Sequence, residues 1–471
     1  MNAVVARCVA LEKCGAPLGK WKPYPAYRDS GVEWLWHIPA NWQVSRIKHL
    51  AGPGYKTFVD GDWIESPYIE SQGIRLIQTG NIGVGEYREQ GYRYISEETF
   101  SKLHCTEVMP GDVLICRLAD PVGRACLAPD LGGRMITSVD VCILRPDRSH
   151  DSRFIVYFLS SSAYLSWMQA LSRGSTRDRI SRSMLGNIEL PLPSLPEQCG
   201  IAAFLDRETA TIDRLVAKQE RLIALLQEKR AALISHTVTK GLNPTTPMKD
   251  SGVPWLGEIP RHWEVVMLKR LASIRYGLGQ PPTESETGTP LIRATNVKHG
   301  RIAESGMMYV DPTHVPESRD AQLRAEEIIV VRSGAYTGDS TIVPEEYAGA
   351  IAGYDMVVTT RNGFSPYIAW QLLGPEIYEL QFSFHKLRAA QPHLNAEELG
   401  STLVVFPPEP EQRAIAAYLD RETAKLDALT TGAQEMIERL QEYRTALISA
   451  AVTGKIDVRE ETQCTSEVRR S

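Results

Sequence analysis

Two stretches of the chain place apolar residues seven positions apart, interrupted once, by Gln219 where the second stretch has Ala433. From Ile201 to Val238 no Gly or Pro intervenes; Leu205, Ile212, Leu226 and Leu233 hold one register, and Leu215 and Leu222 hold an interleaved one. Leu419, Leu426, Leu440 and Leu447 repeat the first register, with Leu429 and Met436 on the interleaved positions. A sustained seven-residue period predicts two long helices joined along an apolar seam. Pro196 and Pro410 suit a first helical turn, Glu197 and Glu411 complement the positive end of the helix dipole, and Gly241 marks the end of the first helix. About 40 residues form a rod of roughly 60 Å, too long for the core of a small domain. The natural partner of each helix is the other, in an antiparallel coiled coil.

Ahead of each helix the pattern changes to short apolar runs broken by Pro-Gly, Gly-Gly and Asn-Gly steps. Strands are predicted at 74–77, 113–116, 139–143, 291–292 and 328–331. Helical patches follow at 154–171 and 366–387. The class is α+β, with two globular modules in tandem, each followed by a long helix, under pseudo-two-fold symmetry. The boundaries read as an extension (1–23), a first module (24–189), a first helix (190–242), a second module (243–403), a second helix (404–456) and a polar tail (457–471).

The halves are copies of one another. Residues 29–51 and 250–272 share 13 of 23 positions, and 190–242 and 404–456 share 26 of 53. The interiors, 76–145 against 291–360, share only about ten of 70, among them Asn81/Asn296, Arg117/Arg332, Gly123/Gly338 and Asp140/Asp355. A preserved frame with divergent contents suits one scaffold that presents two different contact surfaces; drift after duplication is the plainer alternative. Two equivalent modules about a pseudo-dyad suit the reading of a two-fold duplex.

Composition narrows the field. Over 471 residues the chain is 43% hydrophobic and 23% charged, and no run approaches the ~18 apolar residues of a membrane span. Neither membrane insertion nor a signal peptide is expected, which places the chain in the cytoplasm. The eight cysteines form no C-x-x-C pair, so zinc and disulfide frameworks are disfavoured. A net charge of −5 argues against nonspecific coating of nucleic acid and leaves a local basic groove open. No phosphate-cradling G-x-x-x-x-G-K-[ST], H-E-x-x-H, G-x-S-x-G or amino-methyltransferase motif occurs, so no catalytic or metal residue is assigned.

The candidate chemistry is basic and amide-rich. Arg173, Arg177, Arg179 and Arg182 crowd a loop before the first long helix, and Lys386, Arg388, Gln391, His393 and Asn395 occupy the equivalent stretch. Arg pairs with guanine and Asn or Gln with adenine, while each also holds phosphate, so the mixture suits base readout. Gln78 and Asn81, with Arg293 and Asn296 in the copy, are a second set, read either as base contacts or as turn formers. Arg117 and Arg332 follow matching strands, either as phosphate contacts or in structural ion pairs.

The phrases Lys249-Asp250-Ser251-Gly252-Val253-Pro254-Trp255-Leu256-Gly257-Glu258-Ile259-Pro260, His262-Trp263-Glu264, and Pro407-Pro408, Pro410-Glu411-Gln412, Ile415 resemble the specificity subunit of type I restriction-modification systems. The resemblance covers about 24–456. It implies that 52–189 and 273–403 are target recognition domains reading the parts of a split, asymmetric site in double-stranded DNA. The helices at about 196–238 and 410–452 would be the spacer. It further implies two modification subunits using S-adenosylmethionine and two restriction subunits using ATP and magnesium, with no cofactor in this chain. An interaction scaffold without a DNA role is the alternative class.

Overall fold

The computed structural model describes residues 21–54, 56–172, 178–280, 282–382 and 393–461. The chain divides into two compact units, 1–219 with 435–471, and 220–434, so each long helix contributes to both.

In the first unit the order is β1 (Tyr27–Asp29), β2 (His37–Pro39), β3 (Gln43–Arg46), β4 (Phe58–Asp60), β5 (Ile74–Ile77), β6 (Tyr94–Ile95), α1 (Glu97–Leu103), β7 (Val113–Cys116), β8 (Ala125–Leu127), β9 (Met135–Thr137), β10 (Val141–Leu144), α2 (Ser152–Leu159), α3 (Ser162–Ser172), α4 (Arg182–Gly186), β11 (Glu189–Leu192) and the start of α5 (Leu195–Lys240). An antiparallel sheet runs β4-β10-β7-β8, and a second sheet, β6-β5-β9, includes the parallel pair β5–β9. β7 and β10 are buried on both faces, which explains their unbroken apolar runs Val113–Cys116 and Val141–Leu144. The predicted helical patch at 154–171 is two helices, α2 and α3.

The second unit repeats this plan with β12 (Met248–Asp250), β13 (Glu258–Pro260), β14 (Glu264–Met267), β15 (Ala272–Tyr276), β16 (Glu284–Ile292), β17 (Val297–Lys298), β18 (Arg301–Ile302), β19 (Met308–Val310), β20 (Ile328–Val330), β21 (Ser340–Ile342), β22 (Ile351–Ala352), β23 (Met356–Thr360), α6 (Ser365–Leu373), α7 (Ala396–Gly400), β24 (Leu403–Phe406) and α8 (Glu409–Val452). Its sheets are β15-β23-β20-β21 and β19-β16-β22, again with one parallel pair. The patch predicted at 366–387 is α6 followed by a π-helical turn at Glu376–Gln381; its remainder lies outside the described residues. Topology has survived where sequence has not.

The repeated phrases build a joint in each unit. In the first, the Glu197 carboxylate accepts the Tyr24 hydroxyl (2.8 Å), the Trp42 indole N–H (3.0 Å) and the Asn41 amide (3.3 Å). In the second, Glu411 accepts the Trp263 indole (3.0 Å) and meets His262 Nε2 (2.7 Å). The neighbouring glutamines tie the same corners together. Gln198 accepts Asp151 N–H and donates to Pro193 O, while Gln412 accepts Phe364 N–H and donates to Pro407 O. The opposite helix ends on the same tryptophan: Gly454, at φ +73°, leaves no room for a Cβ against Pro39 and Trp42, and Gly241, at φ +79°, sits against Trp263. Each tryptophan therefore pins the start of one helix and the end of the other.

The helices pair antiparallel within each unit. Arg444 reaches Asp213 (3.0 Å) in the first, and its counterpart Arg230 reaches Asp427 (3.6 Å) in the second. Leu205, Ile212, Leu226, Leu419, Leu426 and Leu447 are buried, and Leu233 and Leu440 are packed against the cores. The interleaved register is corrected. Leu215, Leu222, Leu429 and Met436 are exposed at 41–57%, and the inward flank is instead the one four residues on, with Thr209, Thr423 and Ile437 buried. The packed core also extends past the limits read at 24 and 456, taking in Trp21 and Val458.

Candidate nucleic-acid interface

Candidates some 60 residues apart converge in both units. In the first, Leu118 bridges Arg179, Ala119 N–H donates to Asp178 O, and Ile180 N–H donates to Arg117 O (3.1 Å). In the second, Ser333 bridges His393 and Leu394 N–H donates to Arg332 O (2.8 Å). The segment before each long helix is thus laddered onto the residues that follow the central strand, β7 or β20. Arg173, Arg177, Lys386, Arg388 and Gln391 lie outside the described residues.

A second turn is tied to the same place. In the first unit the buried Arg124 donates to Thr79 O and Ile82 O on one side and to Leu118 O and Pro121 O on the other. The equivalent position in the second unit holds Asp339, which accepts the backbone N–H groups of His299 and Ser340. One staple is cationic and holds the turn at 79–82; the other is anionic and holds His299, between β17 and β18.

Several named residues serve the scaffold. Asn81 accepts Gln78 N–H (2.8 Å) and donates to Arg88 O and Gln90 O; Asn296 accepts Arg293 N–H (3.2 Å) and donates to Ala303 O and Ser305 O. Both are buried and their amides are occupied, which leaves no edge for a base. Gln78 and Arg293 are the caps of these turns, and Arg293 donates to Gly306 O. Asn395 caps α7 through Glu397 N–H and Glu398 N–H. Asn81 and Asn296 are turn formers, the second of the two readings, and Asn395 is a helix cap, a correction to its reading as a base contact.

The two conserved-position arginines differ. Arg117 is buried, donates to Ile180 O and Val139 O, and lies 3.2 Å from Asp60, so it is a structural ion pair. Arg332 makes no such pair among the described residues. Its guanidinium lies 4.5 Å over each of Tyr276 and Tyr354, and its Nε is buried without a hydrogen-bond partner among the described residues. Asp355 accepts Arg332's backbone N–H, and burial pushes its carboxyl up to about 6. Arg179 and Arg182 are nearly half exposed and lie beside Asp140 (2.7 Å) and Asp60 (3.8 Å). Arg182 lines a cleft of about 370 Å³ with Lys48, Phe58, Asp60 and Asn187. His393 is exposed. Sequence reasoning missed Tyr276, Tyr354 and the strongly exposed Trp63; Tyr276 ends β15 and the other two lie in loops beside strands, where no periodicity points to them.

Fold and site together define a protein of two like-built modules that hold different side chains at the same place, joined by paired helices. The chain belongs to the type I restriction-modification DNA specificity family: the model of that domain matches residues 39–223 and again 260–439. It is 23% identical over 435 residues to the Type I restriction enzyme EcoKI specificity subunit of Escherichia coli K12, covering 89% of this chain and 90% of that protein. It is 22% identical over 438 residues to the MjaVIII specificity subunit of Methanocaldococcus jannaschii, covering 90% and 94%. A solved chain from work on complex assembly and conformational transition of the type I R-M system superposes with a TM-score of 0.62 at 19% identity, covering 89% of this chain and 99% of that one. The protein is a DNA sequence-specificity subunit, and the reading as a scaffold without a DNA role is not favoured. Among the described residues no helix is long and apolar enough to cross a membrane.

Proposed function

We propose that this chain is the non-catalytic reader of a cytoplasmic type I restriction-modification assembly. Residues 52–189 and 273–403 each read one part of a split site in double-stranded DNA, and the paired helices set the number of unspecified bases between the parts. Two modification subunits supply methyl transfer from S-adenosylmethionine, and two restriction subunits use ATP and magnesium. The observation that carries the reading is the conserved topology with altered chemistry at equivalent points, Arg124 against Asp339 and the ion-paired Arg117 against Arg332, unpaired among the described residues. Equal scaffolds with unequal linings suit an asymmetric target. The exposed apolar side chains Leu215 and Met436 in one unit, and Leu222 and Leu429 in the other, offer surface to partner subunits.

The test is the gap. Inserting four residues, about one helical turn, into α5 after Thr239 of the assembled complex lengthens the unspecified spacer in the methylated motif. An unchanged spacer removes the ruler role. Specific binding by the complex also weakens steeply with salt, because neutralised phosphates release counterions. A flat salt dependence favours the scaffold alternative.

A further inference from the structure

Among the described residues of the converging loops, Arg332 is the arginine whose surroundings prepare it for a ligand. Its main chain is clamped on both sides: the N–H donates to Asp355 Oδ1 (3.1 Å), and the carbonyl accepts Leu394 N–H (2.8 Å). Tyr276 and Tyr354 hold the guanidinium from two directions, each 4.5 Å from ring centre to Cζ. The Tyr276 ring is itself fixed, since its hydroxyl accepts Ala396 N–H (2.9 Å) at the start of α7. Among the described residues no carbonyl or carboxylate takes a hydrogen bond from the guanidinium, whereas the terminal nitrogens of Arg117 donate to Ile180 O and Val139 O; Nε lacks a hydrogen-bond acceptor in both.

The first unit shows why this is not the default state of the position. Asp60 ends β4 and is followed by Gly61, which packs on the carbonyls of Thr137 and Ser138; Tyr276 ends β15 and is followed by Gly277, which packs on the matching carbonyls of Ala352 and Gly353. Tyr276 therefore stands where Asp60 stands. The carboxylate that neutralises Arg117 is replaced by an aromatic face, which holds a guanidinium in place without consuming its N–H donors. A fork with a fixed position and free donors is suited to an acceptor pair of fixed geometry. A phosphate can take the same fork, but such a contact carries no base preference, and mapping of the methylated motif separates the two.

We propose that Arg332 is a specificity-determining residue of the second module, donating in a bidentate manner to O6 and N7 of one guanine in the half-site read by residues 273–403. Tyr276 and Tyr354 are positioning residues for it. The proposal rests on the reading of the chain as a bipartite DNA reader and adds the base class at one position.

The experiment uses the assembled modification complex. The methylated motif is mapped by genome sequencing for wild type, Arg332→Gln and Arg332→Lys, and binding is measured on duplexes carrying 7-deazaguanine, which lacks the N7 acceptor, at each guanine of the second half. Wild type is expected to lose about 10-fold in affinity at one such guanine, and Arg332→Gln is expected to be indifferent to the same replacement. Both variants should relax guanine preference at that position by about 10- to 100-fold and leave the first half unchanged. The 7-deazaguanine arm uses the intact protein, so it stands even where a variant fails to fold. An unchanged motif in Arg332→Lys, a uniform loss of methylation without relaxation, or insensitivity to 7-deazaguanine at every guanine overturns the proposal. Failure of the underlying reading would look different: wild type itself would give no bipartite motif.

Discussion

Replacing Glu197 by Ala should cost far more than the same change at its twin, Glu411. Glu197 accepts three hydrogen bonds, two of them from the buried Tyr24 and Trp42. A hydrogen bond to a charged group contributes about 1.5–3 kcal/mol, and a buried donor left unsatisfied costs about 1–3 kcal/mol. Because the three bonds share one carboxylate they do not add fully, and the expected loss is about 3–5 kcal/mol. Loss of negative charge in the first turn of α5 contributes about 0.5 kcal/mol of this. Glu411 has two partners, and its side chain and that of His262 are 42% and 46% exposed, so water replaces most of what is lost. There the expectation is about 1–2 kcal/mol. Hydrogen exchange under native conditions separates the units: Glu197→Ala should accelerate exchange in peptides covering 27–46 and 195–212, and Glu411→Ala should produce a smaller effect at 258–267 and 409–426. Equal losses at the two sites, or a loss below about 1 kcal/mol at Glu197, would refute the view that the repeated phrase is a buried clamp.

Gly454→Ala forces an L residue to φ +73° with its Cβ against Pro39, so the first unit should lose at least about 2 kcal/mol in urea unfolding, while Gly432→Ala, in open space within α8, should be neutral or stabilising. Leu205→Ala and Leu419→Ala should each destabilise by about 2–5 kcal/mol, whereas Leu215→Gln and Leu429→Gln should change the stability of the isolated chain by less than about 0.5 kcal/mol; the reverse order would restore the other flank as the seam. Asp355 titrates near 6 when folded against an ordinary value of 3.8, so the folded state binds its proton more tightly and stability falls as pH rises from about 4 to 6. Asp355→Asn should therefore stabilise the second unit by up to about 3 kcal/mol at pH 8 and by little at pH 4, read from unfolding midpoints at the two pH values.

The features legible in the sequence were those carried by period or by self-similarity. The long helices followed from apolar residues placed seven positions apart, and the joint residues Trp42, Glu197, Trp263 and Glu411 stood out because they occur twice. What the flank of the seam would be was less visible. Leucines lie three residues beyond the seam at 215 and 222, while Thr209, Val216 and Ile223 lie four beyond, and only the antiparallel partner decides between them. Side-chain direction was hidden as well. Asn81 and Asn296 offer a base-reading amide, but the same amide closes a turn equally well, and the structure turns both inward. Arg117 and Arg332 are the same letter at the same place in the repeat. Their difference rests on Asp60 and Tyr276, each 56 or more residues earlier in the chain and adjacent only through the pairing of β4 with β10 and of β15 with β23.

The central claim, two unlike readers on one duplicated scaffold, is tested most directly by exchanging residues 273–403 for the corresponding module of another specificity subunit and sequencing the methylated bases in cells that carry the modification subunits. A single bipartite motif is predicted in which one half changes and the other half is retained. Changes in both halves, or in neither, would contradict it.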